Sequence, residues 1–198
     1  MAIYGYGNHL LFANAASKED GLIRYKNNVK GLNVDPDTGN VDGGICSGIT
    51  TTWLIKFLNN VDAGHEVKAF LKDYDATRYQ GAYFKELHGK APDHLAQLDN
   101  VLKSNLNEVA RKKVRQVAQL QFPSSSEWAA YVSAWGHAIG IGQLNTSYFM
   151  MDPNYGLFVY KNKQKFLDDL QAFVEARAAR KQRDKSDAVE YIFFDRTL

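Results

Sequence analysis

The sequence predicts an α+β fold in a single domain spanning residues 1–198. Three observations carry that expectation. Up to about Leu120 the apolar residues recur at helical spacing. After Pro123 they gather into short runs of strand length. The order, helices first and mainly antiparallel strands second, lacks the strand–helix alternation of a doubly wound sheet. With 45% hydrophobic and 23% charged residues, a chain of this length buries a full core without needing a disulfide or a metal.

Residues 1 to 45 are rich in turn formers, and Asp35-Pro36-Asp37-Thr38-Gly39-Asn40 and Gly43-Gly44 are strong loop signals. Met1 to Phe12 has no basic region followed by an apolar one, so no general secretory signal is expected there. No hydrophobic stretch approaches the roughly 18–20 residues of a membrane span. A helix is expected from Cys46 to about Asn59, with Ile49, Trp53 and Phe57 on one face. Thr50, Thr51 and Thr52 are weak helix formers, so packing rather than propensity must hold it. Val67, Phe70, Leu71 and Tyr74 predict a second helix from Gly64 to about Leu87. A third is expected from about Pro92 to Leu120, on a stripe from Leu95 through Leu106, Val109 and Val117, with Arg111-Lys112-Lys113 as its solvated side. Strands are expected at Tyr131–Leu144, Ser147–Asp152 and 156–160. Lys163 to about Arg180 reads as a helix with Phe166, Leu170, Phe173 and Val174 inward, and Ala188–Asp195 as a closing apolar strand.

Charge and cysteine count narrow the chemistry. A net charge of +2 gives no case for nucleic acid or an anionic membrane as the main partner. The lone Cys46 excludes an intramolecular disulfide and every zinc site built on two or more thiolates, and no metal or cofactor is expected. Cys46 follows a glycine-rich loop and opens a helix. There the positive end of the helix dipole and unpaired backbone N–H groups favour thiolate, the nucleophilic form.

A thiolate nucleophile needs a base, and the base needs an orienting group. Of the five histidines, His65, His88 and His94 fall in or beside polar helical segments and read as surface residues, and His9 lies in an uninformative segment. His137 instead sits in an apolar strand, Trp135-Gly136-His137-Ala138-Ile139-Gly140-Ile141. A two-residue turn at Leu144-Asn145, or a four-residue turn around it, pairs His137 with Asp152 across a hairpin. That arrangement puts Ile139, Ile141, Tyr148 and Met150 on their face and sends Ala138, Gly140 and Gly142 to the other. Cys46, His137 and Asp152 thus form a candidate nucleophile, base and orienting carboxylate. An oxyanion site needs donors. The Cys46 backbone N–H is one, and the Asn40 side-chain amide is a candidate for another, with a plain turn residue as its alternative reading. Asp42 is nearer, but an ionised carboxylate cannot donate.

These segments carry a family resemblance. Gly44-Ile45-Cys46-Ser47-Gly48-Ile49 followed by Trp53-Leu54 resembles the nucleophile motif of YopT-type cysteine proteases. His137-Ala138-Ile139 resembles their histidine motif. Asp152-Pro153-Asn154-Tyr155-Gly156-Leu157-Phe158 resembles their aspartate motif, Asp-Pro-Asn-x-Gly-x-Phe. The three occur in the family's order over about residues 40–160. The resemblance implies a papain-like fold, with the N-terminal helical part packed on a mainly antiparallel sheet. It implies Cys46 as nucleophile, His137 as base, Asp152 as orienting group and an upstream polar residue in the oxyanion hole. It also implies a bacterial virulence effector, exported by a dedicated secretion system into a host cell, that cleaves a host protein such as a small GTPase or a kinase. A monomer is the default expectation. The same acyl-thioester chemistry serves glutamine deamidases, transglutaminases and peptidoglycan amidases, and the triad alone does not choose among them. A non-catalytic module on a decayed protease scaffold is disfavoured by the intact Cys, His and Asp.

Overall fold

The computed structural model describes residues 9–11, 46–59, 102–153 and 156–196. Their regular elements are β1 (His9–Leu11), α1 (Cys46–Asn59), β2 (Leu106–Val114), a 3-10 turn (Val117–Gln119), β3 (Glu127–Ser133), β4 (Ala138–Leu144), β5 (Ser147–Asp152), β6 (Gly156–Tyr160), α2 (Lys163–Arg180) and β7 (Val189–Arg196). The strands form one sheet in the order β1-β6-β5-β4-β3-β7-β2, with every neighbouring pair antiparallel. Helix α1 packs on one face, mainly against β3 and β4, and α2 packs on the other.

Because helices cover both faces, the central strands bury largely apolar residues on both sides. Along β7, Val189, Tyr191 and Phe193 join the α2-side core, and Ile192 and Phe194 join the α1-side core. Helix α1 is likewise buried nearly all round. Trp53, Leu54, Phe57 and Leu58 are enclosed, and so are Thr50, Thr51 and Thr52. Packing therefore overrides the weak propensity of the threonines.

Two glycines set how closely α1 approaches the sheet. A Cβ built on Gly140 would fall 2.4 Å from a Trp53 ring carbon, and one on Gly142 would fall 2.7 Å from Phe57. Trp53 and Phe57, stacked with centroids 4.7 Å apart, occupy the groove these glycines leave on β4.

The expected α1, β5, β6 and α2 coincide with the observed elements, and the last strand is displaced by one residue. Asn162 caps α2 by accepting the Lys165 N–H at 3.0 Å. Three expectations are corrected. The helix predicted from about Pro92 to Leu120 is, over its described residues, helical only at Leu102 and Lys103 and then continues as strand β2 and the 3-10 turn. Pairing with β7 overrides the helical stripe, and β2 becomes the outermost strand on that side of the described sheet. Lys112 and Lys113 are exposed on it, where basic side chains discourage further strand pairing.

Second, the strand expected at Tyr131–Leu144 is two strands joined by a tight turn, with Ser133 paired to Ala138. Trp135 and Gly136 both have positive φ, +47° and +77°, as in a two-residue I′ turn. Third, the β4–β5 turn falls at Asn145-Thr146, with Leu144 paired to Ser147 and Ile141 to Met150. The register has therefore slipped by two residues from the expected one. An even slip keeps each side chain on its predicted face. The helix expected from Gly64 to Leu87 lies outside the described residues.

Gly140→Ala is expected to destabilise the protein by about 1–3 kcal/mol, because the new methyl group meets a buried indole. Chemical denaturation measures this, and a change within about 0.5 kcal/mol would contradict the close fit of Trp53 on β4.

Candidate active site

The site lies where the start of α1 meets the start of β4 and the end of β5. Cys46 is the first residue of α1 and is partly buried. His137 follows the Trp135-Gly136 turn and immediately precedes β4, and Asp152 ends β5. Both are buried. The His137 Nε2 lies 3.0 Å from Asp152 Oδ1. With Nε2 engaged by the carboxylate, Nδ1 is the ring nitrogen left for the hydrogen bond with the Cys46 thiol. The backbone N–H of Ala138 also donates to the sulfur.

The electrostatics follow from these contacts. Burial pushes the Cys46 thiol up. The hydrogen bond and charge of His137, with the Ala138 N–H, outweigh that and hold the thiol below its ordinary value, although the Asp152 charge opposes them. Burial likewise disfavours a charged His137. Its hydrogen bonds to Asp152 and Cys46 and their negative charges prevail, raising it to about 9. The arrangement thus favours thiolate and imidazolium together, a pair whose protons titrate as a unit.

The structure brings Cys46, His137 and Asp152 together, but not through the direct cross-strand pairing of His137 with Asp152 that the hairpin reading expected. The β4–β5 ladder ends at Gly140 opposite Met151. His137 lies beyond that ladder and reaches Asp152 from the turn before β4. Asn40 lies outside the described residues, as do His65, His88 and His94. Backbone pairing places His9 in β1 opposite Val159.

Sequence reasoning missed what holds the histidine turn. Arg177, buried in the last turns of α2, donates from Nη2 to the Trp135 carbonyl at 2.8 Å and from Nε to that of Ala134 at 3.4 Å. Phe173, one helical turn earlier, places its ring 6.1 Å from that of His137. The Arg115 guanidinium lies 5.3 Å from the Trp135 ring centroid. Trp135 needs such support, since an L side chain at positive φ is strained, whereas Gly136 adopts it freely. The missed signal was an arginine on the apolar stripe of α2, four positions after Phe173. Among the described residues no group of three or more His, Cys, Asp or Glu could hold a metal ion, and no helix is long and apolar enough to cross a membrane.

The fold is α+β and papain-like, the architecture of a class of cysteine proteases. Its structural likeness is to the Pseudomonas avirulence protein AvrPphB, with a TM-score of 0.54 at 16% identity over 82% of this chain and 94% of that one. A cysteine protease-like domain of the Photorhabdus asymbiotica toxin PaTox scores 0.45 at 17% identity, over 77% of this chain and 48% of that one. The ubiquitin-specific protease of murine cytomegalovirus tegument protein M48 scores 0.48 at 14% identity, over 83% and 84%. Comparison with protein-family models and with curated protein sequences returns no match.

The raised His137 makes its charged form part of the folding stability. That contribution is full below about pH 6.5 and is lost as the pH rises through about 9. Asp152→Asn keeps the shape but removes the charge, so the His137 titration is expected to move down from about 9 toward 6.5 in imidazole NMR. The stability gap between parent and variant is expected to narrow between about pH 7 and about pH 10. A titration that stays at about 9 in the variant would contradict the electrostatic role of Asp152.

Proposed function

We propose that the protein is a YopT-type cysteine endopeptidase that cleaves a host protein through a Cys46–His137–Asp152 triad. The observation that carries this reading is the continuous contact from the thiol at the start of α1, through the His137 ring, to the buried Asp152 carboxylate. A Cys, a His and a carboxylate in that order are the elements of thiol acyl transfer.

In the proposed reaction the Cys46 thiolate attacks the scissile carbonyl carbon, forming a C–S bond and moving the carbonyl π electrons onto oxygen. The oxyanion is held by the Cys46 backbone N–H, which a helix leaves unpaired at its first residue, and by the Asn40 amide. Collapse breaks the C–N bond, and His137 gives its proton to the departing amine. A water molecule, deprotonated by His137, then attacks the thioester. The carboxylic acid leaves and the thiolate is restored. Asp152 orients the ring and stabilises its charged form throughout. No step calls for a metal or cofactor.

The motif resemblance and the likeness to an avirulence protein support an effector delivered by a dedicated secretion system into a host cell. The substrate in this reading is a host protein such as a small GTPase or a kinase, met by a monomeric enzyme.

Mass spectrometry of a host-cell protein extract treated with the enzyme tests the reading. New peptide termini are expected with the parent and absent with Cys46→Ala. Asn40→Ala is expected to lower turnover roughly 10-fold or more. Cys46-dependent shifts of about one dalton, or crosslinks, without new termini would replace the protease with a glutamine deamidase or a transglutaminase.

A further inference from the structure

One side chain near the thiol is not used by the proposed reaction and yet joins its two halves. Thr50 lies four residues after Cys46, one helical turn along α1, and is fully buried. A threonine hydroxyl inside a helix has a ready local acceptor in the carbonyl four residues earlier. Thr50 instead donates to the Ala138 carbonyl on β4, at 3.2 Å and 88 positions away in sequence. The N–H of the same Ala138 donates to the Cys46 sulfur. Ala138 is thus gripped at both its backbone polar groups by one face of α1, and it is the residue directly after His137.

We propose that Thr50 is a positioning residue that sets the separation of the Cys46 thiol and the His137 ring by holding the Ala138 carbonyl against α1. This rests on the reading of Cys46 and His137 as nucleophile and base. Trp53 and Phe57, seated on Gly140 and Gly142, fix how near the helix comes to the strand. They are apolar contacts and do not fix how far it slides along it. A hydrogen bond is directional and does. Among the described residues the neighbouring Thr51 hydroxyl is buried without a partner. Burial in this helix therefore does not by itself supply a threonine hydroxyl with an acceptor, and the Thr50 bond reflects where α1 sits on β4. The charged groups acting on the sulfur are His137 and Asp152. A shift of the helix along the strand lengthens the contact with the first of them. Misplacement of reacting groups by about 1 Å can cost on the order of a hundredfold in rate.

Thr50→Val keeps the shape and removes the hydroxyl, whereas Thr50→Ser keeps the hydroxyl and removes the methyl. The rate of Cys46 alkylation by iodoacetamide is measured against pH in the parent, both variants and His137→Ala, with circular dichroism to confirm folding. Thr50→Val is expected to slow alkylation near about pH 6 by roughly tenfold and to move its midpoint upward. Thr50→Ser is expected to keep the parent profile even if its melting temperature falls. A parent-like profile in Thr50→Val, with a shifted one in His137→Ala, overturns the role of Thr50 and leaves the triad standing. Thr50→Ser shifted as far as Thr50→Val also overturns it, since packing would then be the cause. An unshifted His137→Ala overturns the triad reading and the proposal with it. If Thr50→Val does not fold, Thr50→Ala against Thr50→Ser decides the same question.

Discussion

The contact between α1 and β4 is the constraint on which the site depends. Cys46 and His137 are 91 positions apart in sequence and lie on different elements. They meet because Gly140 and Gly142 carry no side chain where Trp53 and Phe57 press on the sheet. Larger residues there would hold the helix off the strand and carry the thiol away from the imidazole. The two glycines, three and five residues from the histidine, therefore act on the Cys46–His137 contact through packing. Across the sheet, α2 completes the frame. Phe173 lies near the His137 ring and Arg177 holds the turn that delivers it, so the histidine is supported from both layers.

Within that frame two opposing electrostatic effects are resolved in favour of charge. Burial alone would leave a neutral thiol and a neutral imidazole. Instead each partner makes the other's charged form the better one, and Asp152 adds to this on the histidine while working against it on the cysteine. Asp152 lies nearer the ring it contacts than the sulfur beyond it, so its net effect is to anchor the imidazolium. The Ala138 N–H supplies a fixed dipole at the sulfur. Preorganised dipoles of this kind stabilise charge without reorganisation at the moment of reaction.

Much of this was legible in the sequence. Helix α1, strands β5 and β6 and helix α2 follow from periodicity, and the glycine loop before Cys46 marks the thiol as opening a helix. The face shared by His137 and Asp152 follows from alternation, which tolerates the two-residue register slip. What was not legible has physical causes. Trp135-Gly136 is not a residue pair that announces an I′ turn, and apolar residues continue on either side because both sheet faces are covered. Strand β2 was hidden behind a leucine stripe at helical spacing and became a strand through pairing with β7. Thr50 looked only like a poor helix former, and Arg177 did not stand out. Their hydrogen-bond acceptors lie 88 and 42 or 43 positions away, beyond the reach of local pattern.

The central claim is that the His137 contact lowers the Cys46 thiol and so favours thiolate beside imidazolium. Because the chain has one cysteine, the thiolate absorbance of the folded protein in the near ultraviolet, less that of Cys46→Ser, belongs to a single group. Its pH titration is the most direct measurement. The account predicts a midpoint below the ordinary thiol value of about 8.5, moved down by the hydrogen bond and charge of His137. A single midpoint at or above about 8.5 would contradict it.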